Sequence, residues 1–240
     1  MRFPIWMALA LAGLGSAAGA VDLPGTGLSL SGNATLLSDY RFRGISQTGN
    51  DPALQAELSL SHPSGLYVSA WASTIDLYDS DPASSFKGGH DLEIDGAAGW
   101  AGDLAPGVSA DLNINYYTYP GVSGPTNYVE AFAEVAFALG PLGAKIGGGY
   151  FPDQKATADD GTWLYAEASG DLPGALTLTG HVGRQYFGRN FGSDADYWEW
   201  SIGLSRDFGP LSASLSYIDT DLAKGLNAGA TLVASLGVSF

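Results

Sequence analysis

Residues 108–117 read Val-Ser-Ala-Asp-Leu-Asn-Ile-Asn-Tyr-Tyr, a stretch in which apolar and polar side chains alternate. Successive side chains of a β-strand point to opposite faces, so this alternation predicts a strand with one apolar and one polar face. The apolar face carries Val108, Ala110, Leu112, Ile114 and Tyr116. The polar face carries Ser109, Asp111, Asn113, Asn115 and Tyr117. The two faces of this strand must therefore meet different surroundings.

The same pattern recurs along the chain between regularly spaced turn signals. Proline fixes φ and glycine accepts positive φ, so breaks rich in these residues predict tight turns. Five such breaks lie at 62–65, 102–107, 139–143, 171–174 and 207–210. They alternate with six longer, more polar breaks at 44–51, 77–90, 120–126, 152–160, 188–195 and 220–227. The breaks divide the chain into twelve predicted strands, which begin near residues 27, 52, 66, 91, 108, 127, 143, 161, 175, 196, 211 and 228.

These strands predict an all-β fold, a transmembrane antiparallel β-barrel of about twelve strands. Tilted strands of roughly ten residues cross a bilayer, and outer-membrane barrels carry short periplasmic turns and longer extracellular loops. A soluble β-sandwich would alternate as well. Three features argue against a sandwich: the aromatic residues at strand ends, the apolar faces rich in alanine and glycine, and the terminal aromatic Phe240. We interpret Phe240 as an assembly signal that the barrel-assembly machinery recognises in the C-terminal strand.

The amino terminus has the features of an export signal. Arg2 precedes an apolar stretch at 3–14, and Ala18-Gly19-Ala20 fits a cleavage site. We therefore expect residues 1–20 to be a cleaved signal peptide and 21–240 to form the barrel, exported through the periplasm to a bacterial outer membrane. The chain has 25 acidic and 10 basic residues and no cysteine. This acidic balance argues against nucleic-acid binding.

Two blocks of sequence carry a resemblance to a known family. The stretch LLSDYRFRGISQTGNDPALQAELSLSHPSGLYVSAWAS at 36–73 resembles the start of the TorF family of proteobacterial outer-membrane porins. The motifs YYTYPG at 116–121 and NYVEAF at 127–132 resemble a second block of that family. The resemblance implies a β-barrel and a pore role, but it implies no substrate and no functional residue.

Residues 38–43, Ser-Asp-Tyr-Arg-Phe-Arg, extend the alternation of the first strand with aromatic and charged side chains. On a barrel strand this pattern would turn the rings towards the membrane interface and the charges into the lumen. The predicted aromatic girdle consists of Tyr40, Phe42, Trp100, Tyr116, Tyr186, Trp198 and Trp200. The third and eighth strands are ambiguous, because the face predicted to be internal carries Trp71, Trp163 and Tyr165.

Alternation also assigns twelve charged side chains to the lumen as predicted pore-lining residues: Asp39, Arg41, Arg43, Glu57, Glu93, Asp95, Asp111, Glu130, Glu134, Lys145, Glu167 and Glu199. An excess of acids would favour cations, as acidic rings do in cation channels. Two interpretations remain open. One is a porin-like channel for passive diffusion of small polar solutes or ions, with a preference for cations. The other is a non-conducting structural or adhesive barrel whose lumen is plugged by side chains.

We expect no catalytic site, cofactor or metal centre. A lipase-like site needs a nucleophile and an oriented histidine, yet the sequence contains no Gly-x-Ser-x-Gly elbow and its histidines are His62, His90 and His181. Acidic side chains crowd the loop at 77–90, but they match no defined calcium loop, and we interpret them as solvated. The expected partners are outer-membrane lipids, the barrel-assembly machinery, and small polar solutes or cations.

Overall fold

A computed structural model describes residues 20–76, 92–122, 124–157, 159–188, 196–222 and 227–240. Within these ranges one sheet contains thirteen strands, and one of them is the three-residue segment Val21–Leu23. The remaining twelve strands are numbered here in chain order: β1 Leu28–Leu37, β2 Ala53–Ser61, β3 Leu66–Ser73, β4 Glu93–Ala105, β5 Val108–Thr118, β6 Tyr128–Leu139, β7 Leu142–Phe151, β8 Gly161–Leu172, β9 Leu176–Phe187, β10 Tyr197–Phe208, β11 Leu211–Thr220 and β12 Thr231–Ser239. The described ranges contain no helix long and apolar enough to cross a membrane.

The twelve strands close into a barrel. Each strand pairs antiparallel with its neighbours in sequence, and β1 pairs both with β2 and with β12. The register shifts within β4–β5, between Asp103 and Ala105. The segment Val21–Leu23 pairs with Leu28–Leu30, on the edge of β1 that β12 leaves uncovered. The predicted twelve-stranded antiparallel barrel is therefore confirmed. Because β12 and Val21–Leu23 together cover this edge of β1, little backbone is left open for the addition of a foreign strand.

Short and long connections alternate as the sequence predicts. The short ones join β2 to β3, β4 to β5, β6 to β7, β8 to β9 and β10 to β11, with two to four residues between strand ends. We call their end of the barrel the turn side, and the opposite end the loop side. Every predicted strand start lies within three residues of the observed one. The prediction succeeds because prolines and glycines mark the turns, as at Gly107 and Gly209, which both have positive φ.

The outer face is apolar and the inner face is polar. Large apolar side chains stand exposed around the outside, and Ile114 and Leu232 expose 57% and 62% of their surface. By contrast Glu93, Glu130 and Gln185 are fully buried on the inside. This inside-out distribution matches a bilayer outside and polar groups within, because charged groups are costly in hydrocarbon and are tolerated in a lumen.

Five of the predicted girdle residues lie on the outer face. Tyr116, Tyr186 and Trp198 are exposed near the loop side. Trp200 shares the face of Trp198 and is half-buried. Trp100 is nearer the turn side, where its indole donates a hydrogen bond to the carbonyl of Ser64. Their role as a membrane girdle stays a prediction.

The other two predicted girdle residues are misplaced. The wall strand β1 ends at Leu37, and Tyr40 and Phe42 are buried inside the barrel, 4% and 1% exposed. The prediction was wrong because the alternation of residues 28–43 continues beyond the point at which the chain leaves the wall. Arg43 and Gly44 both have positive φ, which turns the chain back within the lumen.

Candidate functional site

The first loop of the chain folds into the lumen. We define loop 1 as residues 38–52, the connection between β1 and β2. It forms a small hairpin in which Arg41–Phe42 pairs with Ile45–Ser46. Its backbone forms hydrogen bonds with two other connections on the loop side. The backbone N–H of Asp76 donates to the carbonyl of Gln47 at 2.8 Å, and the backbone N–H of Ser46 donates to the carbonyl of Asn227 at 2.9 Å.

Asp39 and Arg41 hold loop 1 in shape. Nε of Arg41 lies 2.6 Å from Oδ2 of Asp39, and the hydroxyl of Ser46 donates to the other carboxylate oxygen at 2.6 Å. Arg41 also donates to the carbonyls of Gly44 at 2.9 Å and Gly229 at 2.8 Å. The partners of this pair belong to loop 1 and to the residues just before β12. We infer that Asp39 and Arg41 act on the loop itself rather than on a passing solute.

Arg43 crosses from loop 1 to the barrel wall. Its NH1 donates to Oε1 of Gln185 at 2.6 Å and its NH2 to Oε1 of Glu130 at 2.5 Å. The side chains of Arg43 and Glu130 are both fully shielded from solvent. The hydroxyl of Tyr197 donates to the backbone carbonyl of Arg43 at 3.1 Å. Loop 1 is therefore bound to β6, β9 and β10 by one residue.

Aromatic rings fill the lumen around loop 1. Tyr40 and Phe42 belong to a buried cluster of rings contributed by β3, β5, β6 and β7. Tyr117 and Tyr128 stack in that cluster with ring centroids 4.4 Å apart. Tyr40 lies against Trp71 at 5.7 Å between centroids. Trp71 is thus internal, which resolves the ambiguity of the third strand: an inward aromatic belongs to the packing around loop 1.

Tyrosine hydroxyls donate hydrogen bonds to several of the internal carboxylates. Glu93 accepts hydrogen bonds from Tyr40 at 3.3 Å and Tyr119 at 3.0 Å. Further pairs of this kind are Tyr117 with Glu130, Tyr67 with Asp111, and Tyr165 with Glu134. A buried carboxylate needs donors whether or not a base is near. The tyrosines therefore explain how the lumen holds more acids than bases. Of these tyrosines the alternation marked only Tyr165 as ambiguous, and it gave no sign of their role as donors to the acids.

Below loop 1, towards the turn side, Glu167 and Asp111 are less enclosed than the other charged groups of the lumen. Nζ of Lys145 lies 3.6 Å from Glu167, whose side chain is 24% exposed. Nε2 of His181 lies 2.8 Å from Oε1 of Glu199, and the His181 ring stacks on Tyr165 at 5.5 Å between centroids. Asp111 is half-buried in the same region.

All twelve side chains predicted to line a pore lie inside the barrel, but they divide into two sets. One set is packed with loop 1 or close to it: Asp39, Arg41, Arg43, Glu93, Asp95, Glu130 and Glu199. The other set lies further along the wall: Glu57, Asp111, Glu134, Lys145 and Glu167. Their pore-lining role stays a prediction. The acidic loop residues at 77–90 all lie outside the described ranges. The described residues contain no cluster able to hold a metal ion.

A closed antiparallel barrel with an apolar exterior and a charged interior defines the class of outer-membrane porin-like barrels. Within that class, the chain belongs to the family described as "Bacterial protein of unknown function (Gcw_chp)", which matches residues 22–238. The family named by the resemblance of 36–73 and 116–132, TorF, is not confirmed by this match. No curated protein sequence matches the chain.

Solved structures with a similar fold include porins. The KdgM porin matches with a TM-score of 0.59 and 8% identity, covering 88% of this chain and 98% of that one. The NanC porin matches with a TM-score of 0.57 and 11% identity, at 88% and 98% coverage. A structure titled "KdgM porin in complex with disordered oligogalacturonate" has a TM-score of 0.56 and 8% identity, at 88% and 97% coverage. At these identities the likeness is one of fold.

Proposed function

We propose that this chain forms a non-enzymatic outer-membrane channel for small polar solutes or ions, with a preference for cations. The observation that carries the proposal is the closed barrel with an apolar outer face and a charged inner face. A polar lumen in an apolar wall is what passage of a polar solute through a bilayer requires. The fold shared with the KdgM and NanC porins supports the same class of function.

The preference for cations follows from the charges inside. Nine acidic side chains face the lumen against the three bases Arg41, Arg43 and Lys145. Carboxylates in a narrow, low-dielectric passage raise the local concentration of cations. All three bases already have an acidic partner: Arg41 contacts Asp39, Arg43 contacts Glu130, and Lys145 lies 3.6 Å from Glu167. Asp111 and Glu167 would act most directly on a solute, because they are only half-buried while the other inward acids are buried.

The ligand in the KdgM title, an oligogalacturonate, is an acidic sugar polymer. We do not extend it to this chain, because an acid-rich lumen would repel a polyanion. Small cations and neutral polar solutes fit the internal charge balance better.

A second function has a specific observation in its favour. Loop 1 contacts the wall from β3 to β10, and Arg43, Glu93 and Glu130 are shielded from solvent. A barrel plugged in this way could serve as a structural or adhesive protein. We favour the channel because the plug is a loop attached at its two ends, and not a layer of wall side chains.

Lipids and the assembly machinery complete the proposed partners. The exposed apolar outer face would contact outer-membrane lipids, and β12 with Phe240 would be the segment recognised during assembly. Residues 1–20 would direct export through the periplasm and then be removed.

The experiment is single-channel recording of the refolded chain 21–240 in a planar bilayer under a potassium chloride gradient. Stable current steps with a reversal potential of cationic sign are the expected result. A folded barrel that migrates differently before and after heating, yet carries no current at any voltage, would overturn the channel in favour of the structural barrel. Steps with an anionic reversal potential would overturn the cation preference alone.

A further inference from the structure

Arg43 occupies a site whose polar groups come from the barrel wall. Two of its nitrogens are bound by acceptors on two separate strands, Glu130 on β6 and Gln185 on β9. The two hydrogen bonds are 2.5 and 2.6 Å long, as expected for charge-assisted contacts. A planar guanidinium can reach both acceptors at once, whereas the single nitrogen of a lysine cannot match that geometry.

Aromatic faces complete the site. The guanidinium carbon of Arg43 lies 4.7 Å from the ring centroid of Trp163 and 6.0 Å from that of Phe132. Phe42 of loop 1 lies 4.6 Å away. A cation at these distances from an aromatic face is attracted by the ring quadrupole, most strongly when water is excluded. Trp163 has no exposed surface, so water is excluded here.

The wall residues of the site also have hydrogen-bond partners outside loop 1. The amide nitrogen of Gln185 donates to the carbonyls of Thr162 and Tyr186, which leaves its oxygen directed at Arg43. Oε2 of Glu130 accepts from Tyr117 at 3.2 Å, which leaves Oε1 for Arg43.

The indole of Trp163 is fixed in a similar way. Its Nε1 donates to Glu199 at 3.3 Å, and its ring stacks on Tyr165 with centroids 4.3 Å apart. A site that is formed before its ligand arrives loses little entropy on binding.

We propose that Glu130, Gln185, Trp163 and Phe132 form a guanidinium-binding site on the inner wall, and that Arg43 is its tethered ligand. Loop 1 is then held in the lumen by a contact that a soluble guanidinium compound can replace. The class of ligand is a small, planar, guanidinium-bearing cation. The binding site does not depend on the proposed channel. Only its consequence does, namely that displacement of loop 1 would widen the passage.

The absence of cysteine from the chain allows a direct test. Gln47 of loop 1 is 5% exposed, and its side chain donates to the carbonyl of Ile45 within the same loop. In a Gln47→Cys variant a maleimide can therefore react only when loop 1 leaves the lumen. Labelling rates of the refolded barrel are measured in equal concentrations of methylguanidinium chloride and methylammonium chloride, two salts of the same charge.

We expect methylguanidinium to accelerate labelling several-fold over methylammonium. Lys155→Cys, an exposed position on the loop side, gives the reference rate and should label equally in both salts. Equal rates in both salts at position 47 would overturn the guanidinium site. This comparison uses the native Arg43, so it does not depend on whether a variant of the site folds.

A second variant tests the tether. Arg43→Lys, placed in the Gln47→Cys background, should label faster than its parent without any additive. Because the wall site is unchanged and lysine fits it less well, methylguanidinium should raise the labelling rate of this variant at a lower concentration than in its parent. Arg184→Lys is the matched control, because Arg184 also lies near aromatic rings on the loop side, 5.2 Å from Tyr186 and 5.0 Å from Trp198, but on the outer face. A labelling rate of Arg43→Lys equal to that of its parent without additive would overturn the role of Arg43.

Current recordings on the same proteins separate this inference from the proposed channel. Faster labelling in methylguanidinium without current in any protein would support the site and overturn the channel. Current in the native protein together with equal labelling in both salts would support the channel and overturn the site.

Discussion

Phe240 and Gly32 exchange two backbone hydrogen bonds across the junction of β12 and β1, each 3.0 Å long. This junction is the shorter of the two contacts that β1 makes with its neighbouring wall strands, with five paired residues against nine between β1 and β2. Phe240 therefore extends the pairing that closes the barrel. Gly32 leaves room for the Phe240 ring, since a Cβ at residue 32 would lie 2.8 Å from two of its carbons.

Deletion of Phe240 should weaken the closure of the barrel more than Phe240→Ala does. The deletion removes both hydrogen bonds, and two net bonds are worth about 1–3 kcal/mol. The alanine variant keeps both bonds and loses only a ring that is 47% exposed. Urea unfolding of the refolded barrel, followed by tryptophan fluorescence, measures the free energy of unfolding of each variant.

The same pair of variants separates stability from assembly. If the terminal ring is recognised by the assembly machinery, Phe240→Ala should reduce the amount of barrel inserted in cells although it unfolds almost like the native chain. Equal insertion of the native and alanine proteins would count against Phe240 as an assembly signal.

Ile114→Arg should strongly destabilise the barrel in lipid, and Asn113→Arg should not. Ile114 lies near the middle of β5 on the exposed face, whereas Asn113 faces the lumen beside Asp111, to which it donates at 2.7 Å. An arginine facing hydrocarbon near the midplane costs about 2–4 kcal/mol, but one in the lumen can pair with a carboxylate. Unfolding in phosphatidylcholine vesicles measures both. Similar losses for the two variants would contradict the assignment of the two faces.

The wall of this barrel could be predicted from sequence because each strand carries its own evidence. Alternation in β5 and the Pro–Gly turns at Gly107 and Gly209 are local signals, and they fix strand number, pairing and facing. For ten of the twelve strands nothing outside the strand is needed to decide which face meets lipid. The exceptions are β3 and β8, whose inward faces carry Trp71, Trp163 and Tyr165.

The position of loop 1 could not be predicted in that way. Tyr40 and Phe42 continue the alternation of β1 without a break, although the wall ends at Leu37. Their burial depends on rings from distant strands, such as Tyr117 and Tyr128, that leave an apolar space inside the barrel. The one available signal was the presence of large aromatics such as Trp71 at inward positions, since such rings in a lumen need something apolar to pack against.

Neutralising Asp111 and Glu167 should change ion selectivity more than neutralising Glu93 and Asp95. Asp111 and Glu167 are half-buried along the wall towards the turn side, while Glu93 has no exposed surface and Asp95 is 7% exposed. Salt screens the attraction between a carboxylate and an ion beyond about 10 Å at 0.1 M ionic strength. The carboxylates that reach the passage therefore act most strongly on a passing ion. We expect the reversal potential of Asp111→Asn/Glu167→Gln to move towards zero in a salt gradient. A larger shift for Glu93→Gln/Asp95→Asn would mean that ions pass through the space around loop 1.

Gly44→Ala should expel loop 1 from the lumen while the barrel stays closed. Gly44 has a φ of 80°, and a Cβ there would lie 2.2 Å from Cγ2 of Thr220 and 3.2 Å from Cβ of Glu199. Overpacking of this kind costs about 1–3 kcal/mol. We expect it to destabilise the position of loop 1 and not the wall, because no wall pairing involves residue 44. The matched control is Gly49→Ala, which has a similar φ of 64° but whose nearest neighbour is 3.6 Å away. Maleimide labelling at Gln47→Cys should rise in the first variant well above the second, and equal rates would show that loop 1 does not depend on its fit against β10 and β11.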